Sequence, residues 1–428
     1  MLRYSELEAY FAYLKHWPRT GAPAWRKLDR IQALLTELGH PERQYPSIQV
    51  IGTSGKGSTA AMLEAILRSA GYRVGLSTSP YLIEPKDRIR INGRYLTRTE
   101  FARLINNLAP AVERVERRLH DRPTFFEVLT AAAADAFARA NVAVAIFEAG
   151  LGGRPDATSA LQSKIHVITS IDLDHTEVLG RRLKDVVKDK SQIGRRGDKF
   201  ITSAEGRPLK LLAGHFRRRS LALIKALPDL HGPIKVDWGW TTFSYGSWNN
   251  ISTSLIGPHQ AVNAAAALQT IIQIKALKLK VNEAAIRRGL ANVNWPGRFQ
   301  VIGHNPKIIL DGAHNPAKIK ALVKTLDALR IPRSRIACLF ACKAVKDSRT
   351  MLNNLGPRVG RLYFPLLETE ENFSHPVELK NIWPAGQVAW LIDSALNQAK
   401  RSVGPNGYVL VTGSLHLVGR MLRLLKHR

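Results

Sequence analysis

The chain has 428 residues, of which 45% are hydrophobic and 23% charged, an ordinary composition for packed domains that excludes a disordered or low-complexity protein. Its formal charge of +29 is the unusual bulk property, and it suits either a polyanionic surface partner or the attraction of small anionic substrates. The Lys and Arg are scattered, apart from a segment including Arg181, Arg182, Lys184, Lys188, Lys190, Arg195, Arg196 and Arg217 to Arg219. No aromatic-interleaved RNA-binding signature accompanies them, so a solvated basic surface and no nucleic-acid partner are expected.

The first ten residues interrupt their apolar side chains with charge and offer no signal-peptide core, and later apolar stretches are broken by Asp135 and Arg139. A cytoplasmic protein with no membrane span is expected. Two amphipathic helices over 5–16 and 25–38 lead into a strand at 47–51, a helix at 57–70 and a strand at 73–77. A hairpin-like segment with an Asn-Gly turn follows at 88–95, then helical periodicity over 98–119 and 124–140. The apolar runs 142–147 and 165–171 read as fully buried parallel strands, and this alternation predicts a doubly wound α/β sheet.

Between 199 and 256 Gly, Pro and Trp are mixed into short β-like pieces with no clear order. Helices resume near 259–275 and 281–290. Asn294-Trp295-Pro296-Gly297 then reads as a linker, after which strands near 307–311, 335–341, 360–364 and 407–412 predict a second α/β domain. The expected division is 1–294, a hinge at 295–298, and 299–428. Cys338 and Cys342 lie four apart in one strand-like run, too far to bridge and without His partners, so both are expected to be buried packing residues.

The chemistry begins at Gly52-Thr53-Ser54-Gly55-Lys56-Gly57-Ser58, which joins the apolar strand to the following helix. Glycines let the backbone turn tightly and aim N–H groups inward, the helix start adds positive potential, and Lys56 supplies a point charge. Such a cradle suits a nucleoside triphosphate, although Val50 and Gly57 stand where a strict P-loop has Gly and Ser or Thr. Glu148 ends a buried strand and opens the glycine-rich Gly150-Leu151-Gly152-Gly153, and Asp174-His175 follows another strand end. The Ser58 hydroxyl, a carboxylate and an imidazole could share one Mg²⁺ carrying triphosphate oxygens, with His an uncommon ligand for so hard a cation.

These segments resemble the Mur ligase superfamily and, within it, the folylpolyglutamate synthase/dihydrofolate synthase family. The likeness runs from about residue 45 to the C-terminus. It includes Thr78-Ser79-Pro80, Arg88-Ile89-Arg90-Ile91-Asn92-Gly93, Thr124-Phe125-Phe126-Glu127, His259-Gln260-Ala261-Val262-Asn263, Trp295-Pro296-Gly297-Arg298, Leu310-Asp311-Gly312-Ala313-His314-Asn315 and Val411-Thr412-Gly413-Ser414. The resemblance implies a P-loop-type, mostly parallel N-terminal ATPase domain and a smaller Rossmann-like C-terminal domain. It implies that Gly52, Thr53, Gly55, Lys56, Gly57 and Ser58 bind ATP together with Asn263, Arg298, Asp311 and His314. Ser58, Glu148 and His175 match positions that hold magnesium, and Lys190 matches a lysine that becomes a carbamate able to bind a second Mg²⁺. Thr124, Phe126, Asp156 and Ala157 match a pterin pocket, with Ser79 and Arg88 assigned to the same substrate site.

The implied reaction transfers the ATP γ-phosphoryl group to a carboxylate and lets the glutamate amine attack the acyl phosphate, with Lys56, Lys190, His175 and Arg298 in catalytic roles. Substrates would be dihydropteroate, reduced folates or both, with L-glutamate and ATP, and the protein is expected to be a monomer. Ser54, Tyr81, Ser159 and Ser191-Gln192 depart from the family's usual residues without removing a group that phosphoryl transfer needs. Two other readings compete: a Mur-type ligase acting on a cell-wall or polymer precursor, and a nucleotide-dependent RNA-binding protein without ligase activity.

Overall fold

The computed structural model describes residues 3–15, 28–174, 176–367 and 372–426. It divides into two compact units, Met1–Leu230 with Val262–Val293, and His231–Ala261 with Asn294–Arg428. Among the described residues no helix is long and apolar enough to cross a membrane.

The first unit is built on an eight-stranded sheet of β1 (Ser47–Ile51), β2 (Val74–Ser77), β3 (Ile89–Ile91), β4 (Arg94–Tyr95), β5 (Val144–Glu148), β6 (Ile165–Ile168), β7 (Lys199–Thr202) and β8 (Leu223–Lys225). Their spatial order is β4-β3-β2-β5-β1-β6-β7-β8. Strands β2 to β8 along this order run parallel, and only β3 and β4 form an antiparallel edge. Every residue of β1 and β5 is buried, because crossover helices cover both sheet faces. The expected α/β architecture is therefore present, with β1 central between β5 and β6.

One face carries a core reaching from Leu7 and Phe11 through Phe101 and Val128 to Phe137 and Phe147. Arg30 is fully buried in this region and donates to Glu127 at 3.0 Å and Asp121 at 2.9 Å. Glu127 also accepts from Thr124 N at 2.7 Å in the capping box of the helix Phe125–Arg139, so one carboxylate ties two helices together. The opposite face packs Ile51, Ile168, Val186, Val187, Phe200 and Phe216. Gly289 lets the helix Glu283–Ala291 approach the helix Lys56–Ser69 closely, since a Cβ there would lie 2.4 Å from Ile66 Cα.

The second unit holds two sheets. A three-stranded sheet consists of β9 (Leu230–Asp237), β10 (Trp240–Tyr245) and β11 (Trp248–Thr253), in the order β11-β10-β9. A six-stranded sheet contains β12 (Gln300–Ile302), β13 (Lys307–Leu310), β14 (Ile336–Phe340), β15 (Arg361–Pro365), β16 (Gln387–Ala389) and β17 (Tyr408–Thr412). Its order is β12-β13-β17-β14-β15-β16, parallel except for β12. Both cysteines are free and buried in its core region, Cys338 within β14 and Cys342 just beyond it.

The packing places His231–Ala261 with the second unit, whereas the sequence division put it in the first domain. Trp238 stacks on Tyr408 with centroids 5.4 Å apart, Lys307 lies over both rings, and Ile256 joins the core around Phe299 and Ile319. The three-stranded sheet is largely exposed along β9, so its apolar contacts come from residues far along the chain and leave no local periodicity to read.

Candidate active site

The glycine loop follows β1 and leads straight into the helix Lys56–Ser69. Gly52 has φ +143° and a Cβ there would sit 1.9 Å from Thr169 Oγ1; Gly55 has φ +86° and its Cβ would sit 2.2 Å from Asn263 Oδ1. Only glycine meets both the conformation and the space. The loop is braced from β6: Thr53 N donates to Ser170 O at 2.7 Å, and the Thr53 hydroxyl donates to Asp172 O and accepts from Asp172 N, each at 3.0 Å. Thr169 Oγ1 lies 2.7 Å from Ser54 O. Alanine at Gly52 or Gly55 is expected to destabilise the unit by about 2 kcal/mol or more, read as a lowered midpoint in denaturant melts.

The helix begins at Lys56 with Gly55 as its cap and no side-chain capping bond, which leaves its N-terminal end open to an anion. Lys56 Nζ donates to Gly52 O at 3.0 Å, which folds its charge back across the loop. Ser58 is buried in the first turn. A positive-φ loop with no room for side chains, an uncapped 14-residue helix and a lysine over the turn fit a polyphosphate.

Glu148 closes β5, in register with Val50 of β1, so it stands beside the loop's origin. It is 6% exposed and accepts from Ser79 N at 3.1 Å, drawing the turn after β2 to the same strand ends. His175 lies outside the described residues. Among the described residues no group of three or more His, Cys, Asp or Glu is arranged to hold a metal ion. Of the residues expected at magnesium, Ser58 and Glu148 are described and carry oxygen donors of the kind Mg²⁺ takes, while Lys190 would offer oxygen to a second ion as its carbamate.

Lys190 ends the helix Leu183–Lys190 and is 4% exposed. Burial first, and then the Lys56 charge, push its ammonium down to about 8, against the opposing pull of Asp189, Asp156 and Asp174. The glycine-rich turn runs directly against this helix end, since a Cβ on Gly153 would be 2.3 Å from Asp189 O and 2.8 Å from Lys190 Cα. Arg219 holds the following turn by donating to Ile193 O at 2.9 Å and Gly194 O at 2.8 Å. The structure thus brings Lys56 and Lys190 within electrostatic reach of each other from segments far apart in sequence.

The residues assigned to a pterin pocket divide. Asp156 Oδ1 accepts from Thr158 N at 2.9 Å and Thr158 Oγ1 at 2.6 Å, Oδ2 accepts from Leu151 N at 2.9 Å, and Gly150 adds a further backbone bond. These donors make Asp156 an organiser of the 150s loop. Thr124 is the cap of the helix Phe125–Arg139, its hydroxyl accepting from Glu127 N at 3.3 Å. Ala157 is buried in the short turn Ala157–Leu161. Phe126 is half-buried against Gly150, where a Cβ would lie 2.8 Å from its ring. The guanidinium of Arg88 lies 5.6 Å from the Phe126 ring centroid.

In the second unit, Asp311 follows β13 and is 7% exposed; its carboxylate accepts from Phe299 N and Ala313 N, each at 2.9 Å. Burial raises its pKa while Arg298 opposes the shift. Arg298 donates to Gly297 O at 3.0 Å. His314 Nδ1 is 2.7 Å from Gly312 O and Nε2 is 2.8 Å from Lys318 Nζ, so its partners assign a neutral ring with hydrogen on Nδ1. Lys318 lies in the first turn of the helix Pro316–Ala328 and His314 just ahead of its N-cap Asn315, so the pair meets across the helix start and carries no helical spacing that the sequence could reveal. His259 belongs to the same cluster, held neutral down to about 4 by burial and Arg298. The second-unit residues Arg298, Asp311 and His314 thus gather together, as do Lys56, Asn263 and Lys190 in the first.

Residues 50–271 match the Mur ligase middle domain, and residues 297–415 match the glutamate ligase domain of Mur ligases. Dihydrofolate synthase/folylpolyglutamate synthase of Bacillus subtilis is 32% identical over 413 residues, covering 93% of this chain and 95% of that protein. The structure of Escherichia coli FolC in complex with DHPP and ADP is 28% identical with a TM-score of 0.87, covering 100% of both chains. A bifunctional folylpolyglutamate synthase/dihydrofolate synthase with Mn, AMPPNP and L-glutamate bound is 27% identical with a TM-score of 0.85, covering 100% of this chain and 98% of that one. With both Mur ligase domains present in order and near-complete coverage of the Bacillus subtilis protein, the chain belongs to the folylpolyglutamate synthase/dihydrofolate synthase family.

Proposed function

We propose that the protein is an ATP- and Mg²⁺-dependent ligase joining L-glutamate to dihydropteroate, to reduced folates, or to both, through an acyl phosphate. The observation that carries this reading is the full-length relationship to proteins so named, combined with an uncapped glycine loop holding Lys56 near a buried, low-pKa Lys190.

A free carboxylate is a poor acylating agent because oxide is a poor leaving group. One carboxylate oxygen attacks the γ-phosphorus of ATP, the bond to the β-phosphate oxygen breaks, and ADP departs. The glutamate amine then attacks the acyl carbon; inorganic phosphate leaves, a proton is lost and an amide remains. By the family likeness Ser58, Glu148 and His175 would hold one Mg²⁺ and carbamylated Lys190 a second, and these ions would supply charge neutralisation for the triphosphate. The N–H groups at the start of the helix Lys56–Ser69 bind the phosphates, and Lys56 takes up charge spreading over the transferring oxygens. The family likeness also assigns Arg298, Asp311 and His314 to ATP, with Arg298 offering a planar fork for phosphate.

The test is direct. The protein is incubated with ATP, Mg²⁺ and glutamate, with dihydropteroate or tetrahydrofolate added, and ADP and product mass are followed. Pterin-dependent ADP release with a product one glutamate heavier is expected. ADP release indifferent to both pterins removes the folate assignment and favours another Mur-type substrate.

A further inference from the structure

Among the described residues three arginines are buried in the first unit, and two have carboxylate partners: Arg30 with Glu127 and Asp121, and Arg90 with Glu64 at 3.0 Å. Arg88 is the exception. It is 8% exposed, its buried Nε has no hydrogen-bond partner, and no ion pair to it occurs among the described residues. Its guanidinium instead lies over three rings, 5.2 Å from the Phe125 centroid, 5.6 Å from Phe126 and 5.6 Å from Tyr81. The backbone there is anchored, since Arg88 O accepts from Thr78 N at 2.9 Å at the end of the turn Pro85–Arg88.

A buried guanidinium without a direct ion pair is costly, and stacking on aromatic faces recovers only part of that cost. Burial pushes its pKa down to about 10, still charged at neutral pH, with Glu148 among the groups that oppose the fall. The buried Nε–H left without a partner is the group such a site offers, and together with a terminal N–H it is matched by a planar anion accepting two parallel hydrogen bonds.

We infer that Arg88, ringed by Tyr81, Phe125 and Phe126, is the receptor for the carboxylate of the acid substrate, not a contact of its heterocycle. The identity of that acid rests on the ligase reading; the presence of an oxyanion site does not. An aryl carboxylate, as in dihydropteroate, and an alkyl carboxylate, as in the glutamate tail of a reduced folate, share this chemistry. The aromatic surround favours the aryl acid, and the two are separate arms of the test.

Dissociation constants are measured for dihydropteroate, tetrahydrofolate and the carboxamide of each, on wild type, Arg88→Met and Arg88→Lys. Wild type is expected to prefer acid over amide by roughly 10- to 100-fold, and Arg88→Met to lose that preference while binding ATP as before. Arg88→Lys, which keeps charge without the fork, should fall between them. Removing an arginine that serves only the fold would not erase discrimination between acid and amide. In parallel, the Arg88 Nε–H resonance is followed during titration with benzoate. If neither pterin acid binds wild type, the folate reading fails and the benzoate titration alone decides the site. Equal acid-to-amide ratios in wild type and Arg88→Met, or an Nε–H resonance unmoved by benzoate, overturn the inference.

Discussion

Lys56→Ala is expected to lower glutamate-dependent ADP release by about 10³-fold or more, with the melting temperature and circular dichroism spectrum close to wild type. The fold is spared because the ammonium makes a single hydrogen bond, to Gly52 O, while the loop is held by Thr53, Thr169 and Ser170. Activity suffers twice. The charge opposite the transferring phosphoryl group is lost, and the like-charge pressure that helps depress Lys190 is relieved, so less Lys190 is neutral. Lys56→Arg keeps the charge but on a wider, planar head, and should recover part of the loss. Retained turnover in Lys56→Ala, measured with saturating ATP, would remove Lys56 from the phosphates.

The second large effect is at Lys190. Carbamate formation joins CO₂ to a neutral amine and releases a proton, so the neutral fraction sets how readily it occurs. With a pKa of about 8 instead of 10.5, roughly a tenth of Lys190 is neutral at pH 7, some three hundred times the fraction for an ordinary lysine. Lys190→Ala is expected to lose at least ~10²-fold in turnover, given how strongly an oxygen ligand to a catalytic cation contributes. Wild type stripped of CO₂ at pH 6 should regain activity when bicarbonate is added at pH 8, and Lys190→Ala should not.

The same shift has a stability consequence of opposite sign. The folded-state value lies below the unfolded one, so the unfolded chain binds more protons between about pH 8 and 10.5, and stability rises through that window. Below it, folding carries the full cost of burying the ammonium, on the order of 3 kcal/mol. Lys190→Met is therefore expected to be more stable than the CO₂-stripped wild type at pH 7 by up to about that amount, with the gap closing toward pH 10.5. A urea titration at both pH values reads the difference, and a constant gap would contradict the assigned burial.

The parts of the site legible in sequence are those formed by consecutive residues. The strand Ser47–Ile51, the turn with Gly52 and Gly55 and the helix Lys56–Ser69 follow from apolar patterning and glycine placement, and all three occur where those signals stand. Glu148 at the end of β5 was equally accessible, because a carboxylate closing a buried apolar run has few other uses. Asp156 and Thr124 show what residue-by-residue likeness leaves out. Their identities match a ligand pocket, yet their oxygens serve Thr158, Leu151 and Glu127 N–H groups in this chain. Such local capping looks the same in sequence as a residue held ready for a substrate.

The segment His231–Ala261 is a different case. Its strands are too exposed for alternation to register, and Trp238 finds Tyr408 across more than a hundred intervening residues. By itself the sequence determined the class of fold, the phosphate loop and the family, because each rests on short-range pattern, where backbone conformation and periodicity act directly. Only the tertiary structure decided which charges meet. The depression of Lys190 by Lys56, the neutral tautomer of His314 and the unpartnered Arg88 all depend on burial and on neighbours brought from distant segments, and Coulomb and desolvation energies follow separation in space, not along the chain.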